Sequence, residues 1–170
     1  MDVNYAIGGL GLAAQYIDLT FTDDFDGLSY TVTGVKADYT IDTLGIVLAY
    51  NSVSGDGTVL DAWGAYPEYA AGNEIFVQGL NTAGEGATSM KLGLSFGLGA
   101  DLANTEIAFN YISQTDVKAD AGEDAVNNYT ELAISTEPVE NLYAQLVYTD
   151  GDGDTPLFDS QTLFRINYAY

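Results

Sequence analysis

An all-β fold, with antiparallel strands laid side by side in up-and-down order, is what this sequence predicts. Three observations predict it. Apolar residues recur at every second position over many short stretches, the period of a strand whose two faces meet different surroundings. The connections between those stretches alternate between short and long along the whole chain. The 170 residues include 19 Gly, 13 Tyr and 7 Phe against 3 Pro, a composition suited to many strands and turns within one domain over 1–170.

Taken in order, Val3, Tyr5 and Ile7 mark a short first strand, and Leu10, Leu12, Ala14 and Tyr16 a second. Val35, Ala37, Tyr39 and Ile41 face away from Gly34, Lys36, Asp38 and Thr40; Leu44, Ile46, Leu48 and Tyr50 face away from Gly45, Val47, Ala49 and Asn51. The cleanest alternation sets Met90, Leu92, Leu94, Phe96 and Leu98 against Lys91, Gly93, Ser95, Gly97 and Gly99. Ile107, Phe109 and Tyr111 then oppose Glu106, Ala108 and Asn110, and Thr130, Leu132 and Ile134 oppose Glu131, Ala133 and Ser135. Leu142, Ala144, Leu146 and Tyr148 carry the next strand. In the last one, Phe164, Ile166, Tyr168 and Tyr170 alternate with Leu163, Arg165, Asn167 and Ala169. The expectation is eight full strands and a ninth short one.

Short connections fall at Ile7-Gly8-Gly9, Asp42-Thr43, 99–104 and Glu137-Pro138-Val139-Glu140, and longer ones, mostly acidic, at 22–27, 52–86, 114–127 and 150–160. If every connection reverses the chain, all short turns lie at one end and all long loops at the other. That separation is the pattern of an up-and-down transmembrane β-barrel. The small and polar residues beside Lys91 suit a lumen better than the second layer of a sandwich. Tyr16, Tyr50, Tyr111, Tyr148, Tyr168 and Tyr170 stand near strand ends, where interfacial aromatic girdles belong.

The formal net charge is −21, from 25 Asp and Glu against Lys36, Lys91, Lys118 and Arg165. Such a balance repels phosphate backbones and excludes nucleic acid as a partner. With no Cys and no His, disulfides, nucleophile–histidine pairs and His- or Cys-ligated metals are excluded. Carboxylates alone could serve a glycosidase, yet none sits in a distinctive motif, and the chain is read as no enzyme. Gly8-Gly9-Leu10-Gly11 precedes a strand, has no Lys after it, and reads as a turn rather than a phosphate cradle.

No cofactor is expected, with one exception: Ca²⁺ at Asp150, Asp152 and Asp154, where alternating carboxylates on a flexible loop could converge on a hard cation. The run is no EF-hand, since Thr155 replaces the required Gly and Gln161 the bidentate Glu. A solvated acidic tip is the plainer reading, and Asp116, Asp120, Glu123 and Asp124 form a weaker acidic loop.

Lys36, Lys91 and Arg165 all fall opposite the apolar stripe, on the same face as Asp38 and Glu106. A charge on the lipid face costs about 2–4 kcal/mol at mid-membrane, so a barrel requires these groups in its lumen. There they would line the pore and set its ion selectivity.

The terminal pattern of Phe164, Ile166, Tyr168 and Tyr170 resembles the assembly signal of outer-membrane β-barrels, which usually ends in Phe. Together with Ala62-Trp63-Gly64-Ala65-Tyr66-Pro67-Glu68-Tyr69, it makes the chain similar to Gram-negative porins of the OprD-like and campylobacterial major-outer-membrane-protein type. The resemblance implies an outer-membrane location and passive passage of small hydrophilic solutes and cations. It also implies lipid and the barrel assembly machinery as partners, with a homo-trimer as one oligomeric state. Such porins commonly have 18 strands. This chain would therefore be the C-terminal half of one, or a small filled barrel; the start at 3–7 in mid-strand, with no leader, favours the half. The loop 52–86, carrying Trp63, would narrow the entrance. Two other readings stay open: a non-conducting membrane anchor or adhesin, and a secreted acidic Ca²⁺-binding β-sandwich.

Overall fold

The computed structural model describes residues 2–20, 29–56, 86–118, 124–154 and 159–168. They form nine strands: β1 (Asp2–Ile7), β2 (Leu10–Thr20), β3 (Ser29–Ile41), β4 (Leu44–Asp56), β5 (Thr88–Gly97), β6 (Glu106–Lys118), β7 (Asp124–Val139), β8 (Leu142–Gly153) and β9 (Ser160–Tyr168). Each pairs antiparallel with its neighbours in sequence, giving one sheet in the order β1 to β9. Among the described residues no pairing joins β1 to β9. The strands are thus an open up-and-down segment of barrel wall.

Tight turns close one end of the sheet. Gly8 (φ 60°), Asp42 (φ 51°) and Asn141 (φ 67°) take the left-handed conformation that such turns require. A one-turn 3₁₀ helix, Ala100–Leu102, links β5 to β6. The opposite end carries all four longer connections, as expected, but the strands reach further into them than alternation indicated. β4 runs to Asp56, β6 to Lys118, and β8 through Gly153. The turn placed at 137–140 lies at Glu140 and Asn141 instead. Pro138, which has no N–H to give the ladder, sits in the register shift between Thr136 and Val139.

Alternation divides the sheet into two unlike faces. The outer face is apolar and exposed: Leu44 and Leu48 on β4, Met90 to Phe96 on β5, Ile107 and Phe109 on β6, and Phe164, Ile166 and Tyr168 on β9. The inner face is buried over much of its area yet carries Asn51, Ser89, Asn110, Gln114, Asn127, Glu131 and Thr149 beside Ala108, Ala133 and Val147. Burial on one side and exposure on the other make the inner face concave. This corrects the sandwich reading, because a sandwich would bury the apolar stripe between two sheets, whereas a single sheet here exposes it.

The apolar band runs obliquely to the strands. One cross-strand row joins Tyr5, Leu12, Ala37, Leu48, Leu92 and Tyr111, then continues into Thr130, Asp150 and Ser160. A row perpendicular to the strands leaves the band only if the strands tilt across it, which is the geometry that closure into a barrel demands. Along β4 the band runs from Leu44 to Tyr50, roughly 20 Å at strand rise.

Candidate functional site

The concave face is built in rows fixed by register. Asn4, Ala13, Lys36, Ala49, Lys91, Ile112 and Tyr129 form one row. The next row toward the turn end holds Gly11, Asp38, Val47, Gly93, Asn110, Glu131 and Thr149. Lys36 and Lys91 are therefore two strands apart, roughly 10 Å across the sheet. Lys36 Nζ lies 3.4 Å from Asp38 Oδ1, an i, i+2 pair that shares the face and is about one-third exposed at both ends. Gly11 makes the room that Asp38 needs: a Cβ there would collide with the Asp38 carboxylate. Lys36, Asp38 and Lys91 line one cavity of about 450 Å³ with Thr40, Val47 and Ser95.

The other two sequence-selected charges lie apart. Glu106 is exposed at the turn end of β6, beside a second cavity of about 400 Å³ lined also by Asp42, Ser95, Asn104 and Thr105. Arg165 is half-buried on β9, opposite Gln145 on β8, in the row that continues through Ser135 to Glu106. All five charges thus occupy the inner face, but only Lys36, Asp38 and Lys91 share a cavity.

Sequence reasoning missed Glu131 and Asn110. Glu131 is fully buried, and Asn110 Nδ2 donates to its Oε1 at 2.8 Å. Burial is the strongest influence on Lys91, ahead of the attraction of Glu131 and the repulsion of Lys36. Parity already put Glu131 inside; what parity lacks is the register that sets it opposite Asn110. A buried polar row, Asn51, Ser89, Gln114 and Asn127, crosses β4 to β7 one step nearer the long loops than the Lys91 row.

Tyr16, Tyr50, Tyr111 and Tyr148 are exposed on the outer face. Each ends its strand's apolar run on the long-loop side; the next outward positions are Asp18, Ser52, Ser113 and Asp150. The Tyr111 hydroxyl donates to Asn128 Oδ1 at 2.9 Å, and the Tyr148 hydroxyl reaches Asp150 Oδ1 at 3.4 Å. Ring in the apolar band and hydroxyl toward the polar end is how a girdle tyrosine sits. Phe164, Ile166 and Tyr168 point outward on β9; Tyr170 and Trp63 lie outside the described residues.

Asp150 and Asp152 stand in β8, paired with Thr130 and Asn128, rather than in a loop. Successive same-face positions on a strand are roughly 7 Å apart, too far for their carboxylates to converge without a bend. Asp154 Oδ2 accepts the Val126 amide at 2.9 Å. Among the described residues no three acids gather as a metal-holding group.

No protein-family model matches the chain, and no curated protein matches its sequence. Solved structures do. Acinetobacter baumannii OccAB4 is 16% identical with a TM-score of 0.74, the alignment covering 98% of this chain and 44% of that one. Pseudomonas aeruginosa OccK10 (OpdN) is 12% identical with a TM-score of 0.77, covering 97% and 49%. P. aeruginosa OpdK, crystallised with vanillate, is 14% identical with a TM-score of 0.72, covering 97% and 46%. These are outer-membrane porins of the OprD family. The fold is that of about half a porin barrel. The chain spans less than half the length of the porins it matches.

Proposed function

We propose that these nine strands form part of the wall of an outer-membrane channel through which small hydrophilic solutes and ions diffuse passively, with cations preferred. One observation carries the reading: a single sheet exposes an apolar outer face and buries a polar, charged inner one. In water that arrangement is inverted; in lipid it is required. Lys36, Asp38, Lys91, Glu106 and Arg165 would line the lumen, and the net charge of −21 favours cations at the mouth.

The wall would be completed by further strands. β1 and β9 run in the same direction, so direct closure of these nine would create one parallel pair, whereas bacterial barrels close with an even, antiparallel count. Lipid would surround the apolar band. The barrel assembly machinery would recognise Phe164, Ile166, Tyr168 and Tyr170, and trimers would form through the outer face. The reading involves no catalysis and no cofactor.

Reconstitution of the full-length protein into a planar bilayer tests it. Stepwise conductance with a reversal potential on the cation side is expected. Anion preference would remove the selectivity, and silence would remove the channel.

A further inference from the structure

Gly93 is a notch in the channel wall. A Cβ at this position would lie 2.7 Å from Asn110 Oδ1 and 3.5 Å from Lys91 Cε. The Lys91 side chain therefore leans along β5 beside Gly93, in ordinary contact with the place a Cβ would take, toward the row holding Asn110 and Glu131. Asn110 turns its amide nitrogen to Glu131 Oε1 at 2.8 Å and its oxygen toward Gly93, the side from which Lys91 arrives. Gly93 stands in register opposite Asn110 and Asn110 opposite Glu131, while Lys91, one row nearer the long loops, stands opposite Ile112 and reaches that row only by its side chain. Glu131 is fully buried, and its attraction acts on Lys91, second only to the effect of Lys91's own burial.

We propose that Glu131, oriented by Asn110, draws Lys91 across the Gly93 notch and neutralises it, so that Glu131 is the positioning residue that sets the charge this stretch of wall shows to passing ions. The inference rests on the channel reading. With Lys91 neutralised, the cavity beside it presents the Lys36–Asp38 pair and little net positive charge. Without Glu131, the Lys91 ammonium swings free and adds a positive charge to the lumen.

The test measures reversal potentials of the full-length protein in planar bilayers under a KCl gradient. Glu131→Gln is expected to lower the cation-to-anion permeability ratio by about twofold, the effect of one unscreened unit charge several ångströms from the ion path. Gly93→Ala, which changes no charge but puts a Cβ 2.7 Å from Asn110 Oδ1 and so displaces the amide that orients Glu131, is expected to move the ratio in the same direction. Lys91→Met/Glu131→Gln, again neutral as a pair, is expected to return it to the wild-type value and provides a fold-preserving control. A conducting wild type whose ratio is unmoved by both Glu131→Gln and Gly93→Ala overturns the pinning alone. A silent wild type overturns the channel reading, and the pinning with it.

Discussion

On β5, neighbouring residues live in opposite worlds. Met90, Leu92, Leu94 and Phe96 are exposed and apolar, while Ser89 and Gly93 are buried and Lys91 and Ser95 half-buried on the other face. A soluble sheet shows the reverse, with its apolar side covered. On the channel reading, the medium against the outer face is hydrocarbon, and the polar groups of the inner face meet the lumen and one another.

The inner face should break most sharply. Lys91→Met removes a positive charge that attracts the buried Glu131 carboxylate, and breaking a buried charge pair costs about 3 kcal/mol. Urea unfolding from detergent or vesicles should show this loss. Adding Glu131→Gln should recover most of it, because a neutral amide can keep its partner in Asn110. A double change no better than the single one would show that Lys91 and Glu131 do not act as a pair.

The outer face should break next, and with opposite chemistry. Leu94→Arg places a charge near the middle of the apolar band and should cost about 2–4 kcal/mol in refolding into vesicles. Ser95→Lys, one residue along and beside both inner cavities, should cost under about 0.5 kcal/mol. Equal penalties at the two positions would mean that both faces meet the same medium, and the membrane assignment would fall.

This contrast was legible in the sequence wherever alternation was strict. Met90 to Phe96 and Phe164 to Tyr168 announce both the strand and the face, since period two is a property of the backbone itself. Strand ends were not legible. Asp150-Gly151-Asp152-Gly153 has the composition of a loop, yet it is strand, because β7 offers Thr130, Tyr129, Asn128 and Asn127 as partners and cross-strand pairing overrides propensity. The site was half legible for a related reason. Parity puts Lys36, Asp38, Lys91, Glu106 and Arg165 on one face, but only register separates the three that share a cavity from Glu106 and Arg165 and sets Glu131 opposite Asn110.

A further small effect sharpens the boundary between band and water. Tyr111→Phe keeps the ring and removes only the hydroxyl that donates to Asn128. At an exposed site that bond contributes about 0.5 kcal/mol, the low end for a neutral hydrogen bond whose alternative partner is water. Tyr111→Ala removes the ring as well and should cost several times more, since an aromatic at the band's edge does its work chiefly through the apolar body. A Phe variant as damaging as the Ala variant would locate the stabilisation in the hydroxyl. The row through Tyr111 would then lie above the lipid boundary, in water, and the apolar band would end one outward position lower, at Phe109.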